Sequence, residues 1–194
     1  MIREFISAGR RAAMVFGALA VVAAAAGTAH AQAQGQNRPG QASQQADPSK
    51  PVLVGQFGDW GAFATPQAKA RTCYALSQPK QRAPANLKRD PAYVFISHRP
   101  ADKVRNEIAI IMGFDVRPES KPVAEIGDVS FDLVAKGGHL WLRNMADEAK
   151  FIAAMRKGSR LIIKAHSLRN NLTTDTYSLS GATQALDRAA KECP

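Results

Sequence analysis

Across residues 158–193 the hydrophobic pattern changes period once, and that change restricts the folds open to the chain. Leu161, Ile163 and Ala165 alternate with Arg160, Lys164 and His166, the two-residue period of a half-buried strand. Asn170 and Asn171 supply turn chemistry. Residues 173–179 are rich in Thr and Tyr, which suits a returning strand. Then Ala182, Ala185, Leu186, Ala189, Ala190 and Cys193 recur at helical spacing, with Ser180 placed to cap the helix. Such a narrow stripe of small residues has to lie against the rest of the protein, so Cys193 belongs to a docking face.

The first 31 residues stand apart. Arg3, Arg10 and Arg11 precede an apolar run over 12–26, and Ala29, His30 and Ala31 form an A-x-A cleavage site. This is the pattern of a secretory signal peptide. The run is shorter than the roughly 20 apolar residues of a membrane span, so no transmembrane anchor is expected in the mature protein. Residues 32–50 hold Gln, Gly, Pro, Ser and Ala with no large apolar side chain, and read as a disordered linker. The folded domain is expected over 51–194, in the periplasm, at the outer surface or secreted. In an exported chain, Cys73 and Cys193 are expected to form a disulfide, with free thiols or an intermolecular bridge as the alternatives.

From residue 52 onward the pattern is mostly strands: 52–57, 60–64, 71–78, 92–97, 107–114, 129–135 and 139–143, separated by turn signals such as Gly137-Gly138. Residues 92–97 and 107–114 are apolar on both faces and suit central positions. Cys73 alternates with Tyr74 and Leu76 on the opposite face. A helix is predicted over 145–157, with Asn144 as cap, Asp147 and Glu148 in its first turn, Arg156 and Lys157 in its last, and Gly158 as stop. Many strands and few helices make a mainly β chain: an antiparallel β-sandwich with a short inserted helix and a C-terminal helix.

Catalytic signatures are absent. Ser178-Leu179-Ser180-Gly181 lacks the first glycine of a nucleophile elbow, and there is neither a P-loop nor a dinucleotide fingerprint. His98, His139 and His166 lack metal-ligand spacing, so no metal and no cofactor is expected. Asp128, Asp132, Asp147 and Glu148 cluster in sequence, but the helix dipole accounts for the last two. The whole chain carries a formal charge of +10. Arg3, Arg10, Arg11 and Glu4 contribute +2 of it, which leaves +8 after residue 31. Lys80, Arg82, Lys88 and Arg89 lie in a proline-interrupted loop, and Arg99, Lys103 and Arg105 lie between the two most apolar strands. Meeting at one end of the sandwich, they would form a cationic rim for an anionic polymer of the envelope or a host surface. Solvated loop charge is the plainer reading. No aromatic residues interleave with the cations, so nucleic acid is not expected as a partner.

The chain resembles the invasion-associated locus B family of exported bacterial proteins. The resemblance is carried by FGDW at 57–60, CYALSQPK at 73–80, AYVFISHRP at 92–100, RNEIAIIMGF at 105–114, the block at 143–167, and TDTYSLSGATQAL leading to Cys193. It implies an immunoglobulin-like β-sandwich, periplasmic or surface-exposed, that is not an enzyme and is associated with host-cell invasion and virulence, acting by binding an unidentified protein or anionic polymer. An accessory role in envelope integrity or assembly is the alternative, and a hydrolase ranks last. Some relatives carry a further cysteine after Gly-Asp-Trp, where this chain has Gly61-Ala62-Phe63-Ala64. A second disulfide is therefore not carried over.

Overall fold

The computed structural model describes residues 50–66 and 71–194. The signal peptide read over 1–31, and the linker read over 32–50 apart from Lys50, lie outside the described residues. The described chain is mainly antiparallel β-structure with two short helices, a β-sandwich-like fold with a C-terminal helix.

The strands are β1 Val52–Phe57, β2 Trp60–Ala64, β3 Cys73–Ser77, β4 Gln81–Ala83, β5 Tyr93–Arg99, β6 Val104–Ile111, β7 Val123–Ile126, β8 Val129–Lys136, β9 His139–Leu142, β10 Arg160–His166 and β11 Leu172–Ser178. The helices are α1 Glu148–Lys157 and α2 Ala182–Glu192. One strand serves two sheets. Residues 129–132 of β8 pair with β7, and residues 133–136 pair with β9. The first sheet runs β1-β2-β3-β5-β6-β9-β8 and the second β8-β7-β10-β11-β4. Their inner faces share one core: Trp60, Val94, Ile96, Ile108 and Ile110 meet Ala124, Ile126, Leu161, Ile163 and Tyr177. The buried Trp60 indole N–H donates to the Ser178 carbonyl at 2.9 Å, which ties the sheets together and satisfies the ring's one donor.

Local sequence explains most of these elements. On β3, Cys73, Ala75 and Ser77 point inward while Tyr74 and Leu76 are half-buried on the outer face. β5 and β6 occupy the middle of the first sheet, as their apolar character requires. Two strands escape the hydrophobic pattern. β4 has three residues and no apolar alternation, and is held by β11. β7 is only four residues long, between Pro122 and Gly127. The helix read from residue 145 begins with a 3-10 turn over Met145–Asp147, where the Asn144 side chain accepts from the Ala146 N–H at 3.1 Å. α1 then buries Phe151, Ile152 and Met155.

Ser180 does not cap α2. Gly181 holds that position with φ at +85°, and a Cβ there would overlap the Phe57 carbonyl oxygen. The close approach of the β1–β2 turn, whose Asp59 N–H donates to the Ser180 carbonyl at 3.1 Å, fixes a glycine at this point.

α2 packs on the inner face of β1, β2 and β3 through Ala182, Ala185, Leu186 and Ala189. Alanines bury little area, at ~0.8 kcal/mol per CH₂ group. The disulfide between Cys73 and Cys193 closes a separation of 120 residues and joins the helix end to β3. Cross-linking so long a loop is worth up to about 4–5 kcal/mol in the chain-entropy model. Cys193→Ser is expected to lower stability by about 2–4 kcal/mol and to speed amide exchange in α2 first. Non-reducing thermal unfolding and hydrogen exchange measure both. An unchanged melting temperature would show that α2 is anchored by its alanine face alone.

Candidate functional site

β6 is paired with β5 along most of its length, but with β9 only over residues 109–111 against 139–141. Beyond Trp141, β9 follows β8 instead. Leu142 pairs with Leu133, and the Arg143 N–H donates to the Asp132 carbonyl at 2.9 Å. The two strands therefore part, and a cleft of about 460 Å³ opens between residues 103–108 and residues 141–148. Val104, Ile108, Trp141, Leu142 and Met145 give it an apolar lining. Met145 is 78% exposed, which costs burial that the fold could have used. Trp141 is half-buried, and its ring stacks on His139 with centroids 5.8 Å apart.

Two carboxylates face this lining. Glu107 accepts from both terminal nitrogens of Arg99, at 2.6 and 3.1 Å, and this guanidinium holds its carboxyl below the usual range. The Glu148 carboxylate has no hydrogen bond or ion pair with any described residue, although its backbone N–H donates to the Met145 carbonyl. Burial, and next the nearby Glu107 charge, push its carboxyl up. An apolar cleft with one neutralised carboxylate and one that has no partner among the described residues suits a ligand with an apolar body and a cationic group.

The seven cations singled out in the sequence do not form one rim. Arg82 and Arg89 lie beside the start of β5, whereas Arg99, Lys103 and Arg105 lie at its far end. Six residue steps along β5 separate the groups, about 20 Å at the rise of a strand. Five of the seven have intramolecular partners. Arg82 and Arg89 converge on the fully buried Asp175, at 3.1 and 2.9 Å. Arg82 also donates to the carbonyls of Asp90 and Met112, and Arg89 to that of Pro84. Lys80 pairs with Asp59, Arg99 pairs with Glu107 and Asp102, and the Arg105 guanidinium donates to the Cys193 carbonyl at 2.7 Å. Lys88 and Lys103 are exposed without such partners among the described residues.

Asp175 belongs to a structural network. Burial raises its carboxyl above the ordinary range against the pull of the two arginines. Burial and the Asp175 charge likewise push the phenol of Tyr177 far up. The three histidines remain apart. His98 is buried opposite Cys73, His139 stands exposed on β9, and His166 ends β10. Among the described residues no cluster of His, Cys, Asp and Glu could hold a metal ion, and no helix is long and apolar enough to cross a membrane.

No protein-family model and no curated protein sequence matches this chain. The crystal structure of invasion associated protein b from Bartonella henselae is similar to it. The identity is 15% and the TM-score 0.49, over 72% of this chain and 97% of that one.

Of the cleft residues, Lys103 and Arg105 were singled out in the sequence as cations of a rim, but the apolar lining and Glu107 were not. Trp141 and Glu148 are visible there as an outward strand residue and a helix first-turn acid, but the parting of β6 from β9 leaves no local mark. Asp175 did carry a signal, since it shares the inward register of Thr173 and Tyr177.

Arg89→Ala is expected to destabilise the protein by about 3–5 kcal/mol in urea titration, because it leaves the Asp175 charge buried with one partner fewer. A change within about 0.5 kcal/mol, typical of a surface site, would remove the network from the account. His98 yields a pH dependence. Burial, then the Arg105 charge, hold its imidazole below 6.5. Below that pH the unfolded chain takes up a proton that the fold refuses. Stability is therefore expected to fall as pH drops from about 6.5 through the folded value. Thermal unfolding between about pH 7.5 and pH 5 should show this limb in the wild type and lack it in His98→Gln.

Proposed function

We propose that this chain is an exported, non-enzymatic binding protein of a bacterial envelope or cell surface, associated with host-cell invasion, and that it recognises its partner through the β6–β9 cleft. The observation that carries the binding role is the cleft itself. Met145 remains exposed and Trp141 half-buried beside an apolar floor, and the Glu148 carboxylate has no counter-charge among the described residues. Uncovered apolar surface of this kind marks interaction sites. The separation of His98, His139 and His166 supports binding over catalysis. Export rests on the signal-peptide pattern of residues 1–31, and the Cys73–Cys193 disulfide suits an oxidising compartment. The link to invasion rests on the sequence resemblance. A maintenance role inside the envelope would use the same cleft, and cell fractionation separates the two settings. Protein confined to the periplasm in every growth condition would exclude direct host contact.

Crosslinked pull-downs from intact cells test the binding site. Met145→Ser alters an exposed side chain and should leave the fold intact. It is expected to cut partner recovery about tenfold or more, the scale of an anchor worth roughly 2 kcal/mol. Recovery of the same partners by wild type and by a Met145→Ser, Trp141→Ser double variant would place recognition elsewhere.

A further inference from the structure

Resting on that reading, we propose that the cleft's occupant is an extended polypeptide segment of a partner, added as a strand along the open edge of β6, with a lysine or arginine side chain directed at Glu148.

Two independent observations lead there. The first is main-chain geometry. On its β9 side, β6 has no strand partner over residues 104–108 among the described residues, and no described main-chain group pairs with it there; Asn106, at φ +57°, gives its N–H to His98 Nδ1 at 3.5 Å and interrupts the edge. Backbone donors and acceptors are obligatory hydrogen-bonding groups, and an unpaired strand edge recruits another strand. Added strands gain affinity from the main chain and specificity from pockets that take alternate side chains. The apolar lining of Val104, Ile108, Trp141, Leu142 and Met145 supplies such a pocket. A small apolar molecule would fill the pocket and leave the β6 edge unpaired.

The second observation is charge. Arg99 already neutralises Glu107, whereas the Glu148 carboxylate has no cationic partner among the described residues. Arg105 lines the cleft, but its guanidinium donates to the Cys193 carbonyl. Lys103 stands exposed in the lining and disfavours a second cation beside it. One basic residue is thus accommodated, at the Glu148 end, where the Trp141 ring can also face its charge. The position of Glu148 therefore fixes the register of the added segment.

The test uses the full chain and a seven-residue capped peptide of alternating Val and Thr with one central Lys. Titration is followed by amide shifts at 104–108 and by fluorescence of Trp141 in a Trp60→Phe background. If that background fails to fold, the amide shifts alone decide. The expected result is binding that Glu148→Gln weakens about tenfold, one charge contact's worth. The same substitution should leave unchanged the weaker binding of a peptide with norleucine in place of Lys. N-methylation of the peptide amides that face β6 is expected to abolish binding. Equal binding by the N-methylated peptide, or saturation by butylamine at the same concentration, would overturn strand addition and make the cleft a small-amine site. Absence of peptide binding while partner recovery still depends on Met145 would also overturn it, and would leave the binding role standing. Loss of the Met145 dependence would overturn the cleft as the recognition site and place recognition elsewhere.

Discussion

An eight-residue strand divided between two sheets is the constraint on which the structure turns. The first half of β8 belongs with β7 and the second half with β9. A pleated strand can do this only by bending as it passes from one layer to the other, and its neighbours must follow the bend. β9 follows, and in doing so leaves β6 after three paired residues. The core gains from this arrangement. Phe131 and Leu133, on either side of the division, are both buried, and Phe131 meets Phe151 of α1 edge-on with centroids 4.9 Å apart. The cost falls on β6, which keeps an unpaired edge in the middle of a sheet. The cleft is a consequence of how the two layers are joined.

Five of the seven cations singled out in the sequence serve the protein's own architecture. Arg82 on β4 and Arg89 in the connection to β5 both reach Asp175, and Arg82 also holds the carbonyls of Asp90 and Met112 while Arg89 holds that of Pro84. This pins an irregular segment against the end of β6, where strand pairing alone would leave it loose. At the opposite end Arg99 and Arg105 secure Glu107 and the chain terminus at Cys193. A net charge of +10 is therefore a poor guide to a binding surface here. The informative charge is Glu148, whose carboxylate has no partner among the described residues.

Elements with a clear period were legible in the sequence. The alternation of Leu161, Ile163 and Ala165 with polar neighbours gave β10, the helical recurrence of Ala182 to Cys193 gave α2, and Gly137-Gly138 gave the β8–β9 turn. Short strands were not legible, because three or four residues cannot display a period. The Gln81–Ala83 segment owes its extended form to β11 and to Arg82 reaching Asp175. The Ser180 reading failed because the contact that excludes a side chain at Gly181 comes from Phe57, more than a hundred residues away. The cleft was invisible for the same reason. Each of its residues has an ordinary local role, and only the long-range pairing of β9 with β8 leaves them facing one another across a gap.

Amide hydrogen exchange on β6 in the free protein tests this origin of the cleft most directly. With β9 drawn away by β8, amides in 104–108 that are not bonded to β5 should exchange orders of magnitude faster than those in 109–111, which both neighbours protect. Uniformly slow exchange along β6 would mean that the strand has a partner along its full length. The open edge, and the recognition site built on it, would then not exist in solution.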